Sequence, residues 1–478
     1  CAIAFVVLRI CLWLERKLTI AQALASLPGP PGVAVLGNLR EVLQHVSELY
    51  DWKRRLTATY GPTYCLRVDV VTNGSIFTSN VANLEHVLGK NHANYIKPPM
   101  MEAALAELLG GSFFNINTTS SWRFQRKLVA SLFSVNTLKA WTGAVFARHL
   151  DVLVAKLAAS AGAPVDLEPL VLTWTTHCIY DLAFGTTLAS TDMNNMHDLI
   201  KEAGHLVFGR FTHPWYSYFR WCLPSEYRLR AVVRRIDSLC YATITAMRAR
   251  LQDAGDGDTN VLVALLRRQA TDPAVTDTFI RDLMMALFLA GRESVGSGVL
   301  WVLHCVATHP HVEATLLAAM GDAPVAYDAI ANCAYLDAVV RETLRLYPPA
   351  PINLKCAVAD DVLPDGTFVP SGTMLEYSPY VMGRDPARWS DPDAFVPERW
   401  LAMAARPTAY ELPVFNAGVR SCVGQQMALL QTKLAVATLL RRFHFAVPAS
   451  ARKADCPVYG VGLALFPKHG MRLIPHLR

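Results

Sequence analysis

The sequence lacks paired-cysteine motifs, long runs of like charge and an average share of charged residues. Its eleven cysteines are irregularly spaced, which predicts neither a disulfide framework nor a zinc cluster, and most are expected to be reduced. No five consecutive residues carry one charge, and +6 on 478 residues is mild, so nucleic-acid binding is not expected. Charged residues make up 18% and hydrophobic residues 52% of the chain, which favours a large core or a membrane contact.

A dinucleotide fingerprint is also missing. Gly460-Val461-Gly462 is followed by Leu465 at the third glycine position, and no strand–helix–strand pattern surrounds it. The chain is therefore not expected to bind its own nicotinamide. A metal site at His304, His309 and His311 is not favoured either. Pro310 ends the preceding helix, so helix capping or a surface role is the better prediction.

The most informative stretch is Phe415-Asn416-Ala417-Gly418-Val419-Arg420-Ser421-Cys422-Val423-Gly424. Gly418 and Gly424 allow sharp turns or close approach to a flat ligand, and Arg420 supplies positive charge. A helix is predicted directly afterwards, from Gln425 to Phe443, whose N-terminus would favour a thiolate at Cys422. An inert, buried cysteine is the alternative interpretation.

This stretch resembles the cysteine-loop signature of the cytochromes P450 at Phe415, Gly418, Arg420, Cys422 and Gly424. The resemblance implies that Cys422 is the thiolate ligand of a haem b iron. It also implies a mainly α fold with a smaller β-rich subdomain (α+β), a helix-rich triangular prism around the buried haem.

A second candidate site is the pair Trp122 and Arg126, which share one helix face because they are four residues apart. For the pair alone, a surface helix with an exposed arginine is the simpler interpretation. In the family, the matching residues bind a haem propionate, a role that the resemblance also gives to Arg420. The upstream segment Leu108 to Asn117 would close over the substrate, and 349–353 would face the substrate above the haem.

One very long helix is predicted from Asp277 to Thr308, and about 1.5 Å per residue would carry it across a domain. Gly291 in its middle suggests a local widening or a close ligand. Glu293 and Ser294 are polar residues in a segment that otherwise reads as buried, which points to function. The resemblance gives them the role of the acid–alcohol pair that delivers protons, although the family more usually has threonine at 294 and often a second hydroxyl at Val295.

Glu342 and Arg345 are three residues apart in a predicted helix, Ala338 to Tyr347, so their side chains can meet. Arg399, in Phe395-Val396-Pro397-Glu398-Arg399-Trp400, is a third candidate partner. The family has a Glu–Arg–Arg network behind the haem in this order and spacing.

Several further elements follow from the local pattern. Hairpins are predicted around Asn73-Gly74, over Asp361 to Val369 and over Pro457 to Arg478. An aromatic cluster from Phe208 to Trp221 is either core packing or, by resemblance, a channel lid that touches the bilayer.

The domain prediction has three parts. Residues 1–26 are interpreted as a truncated membrane anchor and linker, because 1–14 are apolar apart from Arg9 but too few to span a bilayer. A signal-peptide remnant or a buried helix is the alternative. Residues 27–32 (Leu-Pro-Gly-Pro-Pro-Gly) form a stiff hinge, and 33–478 a single catalytic domain, as in microsomal members of the family.

The chain looks most similar to the eukaryotic fatty-acid ω-hydroxylases, best known from plants, through the segments 361–369, 377–384, 122–127 and 415–418. The resemblance implies an endoplasmic-reticulum enzyme facing the cytosol, with a plastid membrane as an alternative. It would use O2, a lipophilic substrate and electrons from NADPH through a flavoprotein reductase, docked by basic residues such as Lys127, Lys433 and Arg441.

Two alternative functions remain at this stage. One is a reductase-independent haem-thiolate isomerase or dehydratase of lipid hydroperoxides, which Glu293 and Ser294 argue against. The other is a non-catalytic haem-binding protein.

Overall fold

The computed structural model describes residues 15–17, 19–33, 36–67, 74–185, 190–212, 216–253, 260–322, 324–448 and 459–478. The predicted membrane anchor at 1–14 lies outside these ranges. Residues 15–17 and 19–25 are helical. The further α-helices are α1 (Leu39–Gln44), α2 (Leu49–Tyr60), α3 (Val81–Glu85), α4 (Pro99–Leu109), α5 (Ser120–Leu132), α6 (Val135–Trp141), α7 (Ala147–Ala159), α8 (Leu167–Phe184), α9 (Ser190–Thr212), α10 (Tyr216–Phe219), α11 (Pro224–Asp253), α12 (Val261–Gln269), α13 (Asp277–Thr308), α14 (Pro310–Met320), α15 (Tyr327–Asn332), α16 (Ala334–Leu346), α17 (Pro379–Met382), α18 (Arg399–Ala402) and α19 (Gln425–Arg442).

The strands are short and few beside these helices. They are β1 (Thr63–Leu66), β2 (Ser75–Thr78), β3 (Tyr95–Ile96), β4 (Val165–Asp166), β5 (Asn353–Ala357), β6 (Asp361–Val362), β7 (Phe368–Val369), β8 (Met374–Tyr377), β9 (Phe443–Ala446), β10 (Tyr459–Gly460), β11 (Phe466–Pro467) and β12 (Arg472–Leu477). The mainly α prediction with a smaller β part is therefore confirmed.

The chain forms two compact units, each made of three stretches. The first contains the described residues of Cys1–Met101, Ala350–Asp393 and Pro407–Cys422. The second contains those of Glu102–Pro349, Ala394–Arg406 and Val423–Arg478. Since the stretches alternate along the sequence, neither unit is a contiguous segment of chain.

The first unit is built around a five-stranded sheet in the order β1-β2-β8-β5-β3. β1 and β2 pair antiparallel, with Thr63 opposite Thr78, which confirms the predicted hairpin, although its turn at 68–73 lies outside the described residues. β8 runs parallel to β2 and antiparallel to β5. The predicted hairpin over Asp361 to Val369 is present as β6 and β7.

The second unit is organised around α13, which has the predicted bounds. The side chain of Thr276 caps its first turn by accepting from the Phe279 amide at 3.1 Å. At its end, Nδ1 of His309 lies 2.7 Å from the Cys305 carbonyl and Pro310 opens α14, as expected for a capping histidine. α13 packs along α8, α19 and α16.

α13 is also the helix, among the described residues, that is long and apolar enough to cross a membrane. However, 83% of its apolar window is buried inside the protein. It is therefore the core helix of the second unit.

The predicted C-terminal hairpin is present only between β10 and β11, which pair antiparallel. The last strand, β12, pairs instead with β9 and β4, so the prediction of one hairpin up to Arg478 is wrong for that part. The carbonyl of Leu465, between β10 and β11, accepts from Ser297 Oγ at 2.6 Å and from Trp301 Nε1 at 2.8 Å. The glycine-containing segment thus fastens the hairpin to α13.

Candidate active site

The cysteine loop ends the first unit and exposes its thiol. The Cys422 amide donates to the Phe415 carbonyl at 2.7 Å, which closes the loop over a short 3₁₀ turn at Gly418–Arg420. Cys422 is exposed, whereas burial raises the pKa of the Cys178 thiol and raises that of Cys240 to about 12. The alternative of an inert buried cysteine therefore fits Cys178 and Cys240 but not Cys422.

Three consecutive residues, Asn416 to Gly418, explain how the loop enters this turn. Ala417 packs into the hydrophobic core of the first unit together with Leu88 and Tyr377. Gly418 has a φ of +65°, and a Cβ there would lie 1.9 Å from the Leu88 carbonyl oxygen. Asn416, also at positive φ (59°), accepts from the Tyr377 hydroxyl at 2.8 Å. The loop can take this path because glycine stands at 418.

Sequence reasoning missed a second cation beside Arg420. Lys355, on β5, is only 8% exposed, and no described group accepts a hydrogen bond from its ammonium. Burial, and then the nearby charge of Arg420, lower the pKa of Lys355 to about 8. Two cations this close in a desolvated place call for an anion. The strand alternation that buries Lys355 with Ala357 was a signal available in the sequence.

The donor set of the first unit fits a haem. An exposed cysteine can ligate the iron, while Lys355 and Arg420 supply positive charge for its carboxylates. Gly424 belongs to the second unit, where it caps α19 at φ −93°. The helix predicted after the cysteine is confirmed as Gln425–Arg442.

Trp122 and Arg126 lie in the second unit, on α5. Thr119 caps this helix by accepting from the Trp122 amide at 3.2 Å. Trp122 is buried, and Cζ of Arg126 lies 5.3 Å from the centroid of its ring. The structure thus brings the two residues together on one helix face. The upstream loop is held by Gln125, whose Oε1 accepts from the Phe113 amide at 2.6 Å.

Glu293 and Ser294 lie in the middle of α13 but do not bond to each other. Ser294 Oγ donates to its own helix, to the Ala290 carbonyl at 2.6 Å. Glu293 Oε1 instead accepts from Arg292 Nη1 at 3.1 Å. Burial raises the pKa of Glu293, and the Arg292 charge opposes that shift.

The structure explains the glycine at position 291 by helix packing rather than by the expected widening of the helix. α13 is a regular α-helix there, and a Cβ on Gly291 would lie 2.8 Å from Cδ1 of Ile179 on α8. The glycine therefore allows close helix packing, and the expected widening is absent.

Glu342 is the centre of a network in the second unit in which Glu342 and Arg345 are buried and Arg399 is half-buried. Its Oε1 accepts from Arg345 Nη2 at 2.7 Å, from Arg399 Nε at 2.9 Å and from the Val396 amide at 2.9 Å. Its Oε2 accepts from Arg345 Nε at 2.9 Å and from Trp400 Nε1 at 2.8 Å. Burial alone would raise the pKa of Glu342, but these bonds lower it. The structure brings Glu342, Arg345 and Arg399 together.

Two of the basic residues expected to dock a reductase are engaged elsewhere. Lys433 is buried and pairs with Asp337 Oδ1 at 2.7 Å, so its prediction as a docking residue is wrong. Arg441 donates to the Gly321 carbonyl at 2.7 Å. Lys127, on α5, is exposed.

Half of the described aromatic residues in the predicted cluster are exposed, and Phe208, Phe211 and Tyr216 are half-buried. Tyr218, Phe219 and Trp221 are exposed, so core packing does not account for them. Pro214 and Trp215 lie outside the described residues.

Comparison with known proteins identifies the family. The Cytochrome P450 family model matches residues 27–471. Similar proteins include Cytochrome P450 704C1 of Pinus taeda, 30% identical over 86% of this chain and 86% of the relative. Cytochrome P450 94C1 of Arabidopsis thaliana is 30% identical over 88% of each chain, and Cytochrome P450 94A1 of Vicia sativa is 28% identical over 87% of this chain and 84% of the relative. With its P450 fold and haem-thiolate chemistry, the chain belongs to the cytochrome P450 family of monooxygenases.

Proposed function

We propose that this monooxygenase hydroxylates long-chain fatty acids at the ω or an in-chain position, with electrons from NADPH through a flavoprotein reductase. The observation that carries the substrate class is the similarity of four separate segments, 122–127, 361–369, 377–384 and 415–418, to the fatty-acid ω-hydroxylases. The plant relatives, matched over most of their length, support the same group.

The site residues have distinct proposed roles. Cys422 would ligate the haem iron from the turn that Phe415 and Gly418 form. When bound, haem supplies the oxygen chemistry. Arg420 and Lys355 would bind its propionates, and the resemblance assigns Trp122 and Arg126 to the same groups. Gly424 begins α19 directly after the ligand loop.

The remaining residues act on protons and on rigidity. Glu293 and Ser294 pass protons toward the reacting oxygen from α13, a helix whose other central side chains are mostly apolar. Glu342, Arg345 and Arg399 hold α16 against the 394–400 segment. The reductase contact uses exposed basic residues such as Lys127 on α5, and the enzyme works at a membrane of the endoplasmic reticulum.

The test is NADPH consumption and product analysis with a purified reductase. Saturated fatty acids of different chain lengths are compared with an alkane, a sterol and a lipid hydroperoxide. We expect NADPH- and O2-dependent hydroxy acids. Conversion of the hydroperoxide without reductase would instead support the isomerase class, and hydroxylation of the sterol alone would exclude the fatty-acid proposal.

A further inference from the structure

Two histidines of the second unit stand side by side on the sheet β4-β12-β9. His444 of β9 and His476 of β12 are directly opposite each other in the antiparallel register. Opposed side chains lie on one face of a sheet, with their Cβ atoms about 5 Å apart. The two ring centres are 6.2 Å apart, and the ring planes differ by 25°. Because Phe443 and Phe445 beside His444 are buried, this face is the one turned away from the core.

One of the two imidazoles is fixed by a buried carboxylate. Nδ1 of His444 lies 2.8 Å from Oε2 of Glu313 on α14, a residue that is only 5% exposed. The other oxygen of Glu313 accepts from Nη2 of Arg478, so the carboxylate is itself held in place. Because a carboxylate only accepts hydrogen bonds, Nδ1 of His444 carries the hydrogen. The neutral imidazole then presents the lone pair of Nε2.

These groups have the chemistry of a transition-metal site. Metal-binding histidines commonly donate their second ring N–H to a carboxylate, which fixes the tautomer and makes the free nitrogen more basic. Two imidazoles on one tetrahedral zinc ion, with bonds of about 2.0–2.1 Å, have ring centres about 5.2 Å apart. The observed 6.2 Å therefore requires an approach of about 1 Å, which the half-buried His444 and the exposed His476 can make by side-chain rotation.

We propose that His444 and His476 bind a divalent transition-metal ion of the zinc and copper class, with Glu313 as the positioning residue behind His444. Imidazole suits these ions, whereas Mg²⁺ and Ca²⁺ prefer oxygen ligands. The described residues contain no group of three histidine, cysteine or carboxylate side chains placed to hold a metal, so water completes the coordination. The ion joins the last strand, β12, to β9 and thereby stabilises this end of the sheet.

A second histidine pair of the same unit offers a control. The ring centres of His309 and His311 are 6.0 Å apart, but their planes differ by 73°. Nδ1 of His309 lies 2.7 Å from the Cys305 carbonyl, so a backbone oxygen takes the place that the Glu313 carboxylate has behind His444. His311→Ala removes an exposed imidazole close to α14 without touching the proposed site.

The test is a zinc titration of the haem-loaded protein, prepared without a histidine tag and stripped of metal by a chelator. We expect a site for Zn²⁺ with which Mg²⁺ does not compete. Glu313→Gln should weaken zinc binding by about 10–100-fold, the usual effect of losing the carboxylate behind a metal-binding histidine. His476→Ala removes a ligand itself, so its loss should be at least about tenfold. His444→Asn keeps an N–H donor for Glu313 but lacks Nε2, and it should lose as much. His311→Ala should leave the affinity unchanged.

X-ray absorption at the zinc edge identifies the ligands without interference from haem iron. We expect two imidazoles at about 2.0–2.1 Å in the wild type and one in His476→Ala. Zinc should also raise the thermal unfolding midpoint of the wild type more than that of His476→Ala, because an ion that binds the folded state stabilises it.

Three results would overturn the proposal: no zinc binding by the wild type up to millimolar zinc, an unchanged zinc affinity in His476→Ala, or a loss of affinity in His311→Ala alone. If His444→Asn does not fold, His476→Ala decides by itself, since His476 is exposed and its truncation leaves the core intact.

Discussion

At the scale of single residues, two glycines of the cysteine loop that look alike in the sequence differ in their surroundings. Gly418 combines a φ of +65° with a carbonyl oxygen 1.9 Å from any added Cβ. Gly424 has a φ of −93° and no described atom within 4 Å of such a Cβ. The requirement for glycine is therefore strict at 418 only.

We expect Gly418→Ala to destabilise the loop by at least about 1–2 kcal/mol from backbone strain alone. The clash with Leu88 adds to this, so haem retention should also fall. Gly424→Ala is the matched variant and should cost no more than about 1 kcal/mol. Urea unfolding and haem loss to an apo-globin acceptor measure both. Equal effects of the two substitutions would show that the loop geometry is not the cause.

Replacing Lys355 should stabilise the haem-free protein but weaken its binding of haem. The pKa of Lys355 is lowered when folded, so the unfolded chain binds more protons between about pH 8 and its usual value near 10.4. Stability of the haem-free protein should therefore rise with pH across that window. Lys355→Met should flatten the rise and stabilise the haem-free protein at pH 7 by roughly 1–3 kcal/mol, yet weaken haem binding.

Lys433 provides the comparison, because it is a buried lysine that has a carboxylate partner in Asp337. Lys433→Met should destabilise the haem-free protein. Thermal unfolding of both variants at pH 7 and pH 10 distinguishes them. A loss of stability in Lys355→Met at pH 7 would contradict the conclusion that the buried Lys355 ammonium destabilises the haem-free protein.

At the scale of elements, Glu342 ties α16 to the segment that precedes α18. Removing one member of a buried ion pair costs about 3–5 kcal/mol, so Glu342→Ala should lose that much. Asp272→Ala, which breaks an exposed i,i+4 pair with Arg268, should cost less than about 1 kcal/mol. Urea unfolding midpoints give both values, and a loss below 1 kcal/mol for Glu342→Ala would count against the network as a brace.

The pH dependence of the same element follows from the lowered pKa of Glu342. A carboxyl whose folded pKa is depressed contributes fully above its unfolded pKa, near 4.3, and loses that contribution as pH falls further. Glu342→Gln should therefore make acid unfolding less steep. An unchanged acid limb would show that Glu342 is not the titrating group.

Elements were predictable where the signal is local. The bounds of α13 and the hairpin of β6 and β7 follow from periodicity and turn residues within short windows. The burial of Lys433 and the reason for a glycine at 291 could not be predicted from local pattern. Both depend on side chains distant in sequence, Asp337 and Ile179 respectively. The role of Lys355 was missed for the same reason, because its neighbour Arg420 lies on another stretch of the chain.

At the scale of the whole molecule, the family is established across residues 27–471, whereas the substrate rests on four framework segments. The sequence names the ligand loop and the acid–alcohol pair. It does not reveal the histidine pair of the last sheet, since His444 and His476 lie on different strands. Pairing across strands is decided by packing and not by adjacency along the chain.

The central proposal is that Cys422 would supply the thiolate that ligates the haem iron. The direct measurement is the absorption spectrum of the reduced, carbon-monoxide-bound protein. The wild type and Cys356→Ser, a half-buried cysteine of the same unit, should both show the red-shifted band of a thiolate-ligated haem. Cys422→Ala should lose that band. An unchanged band in Cys422→Ala would contradict the account.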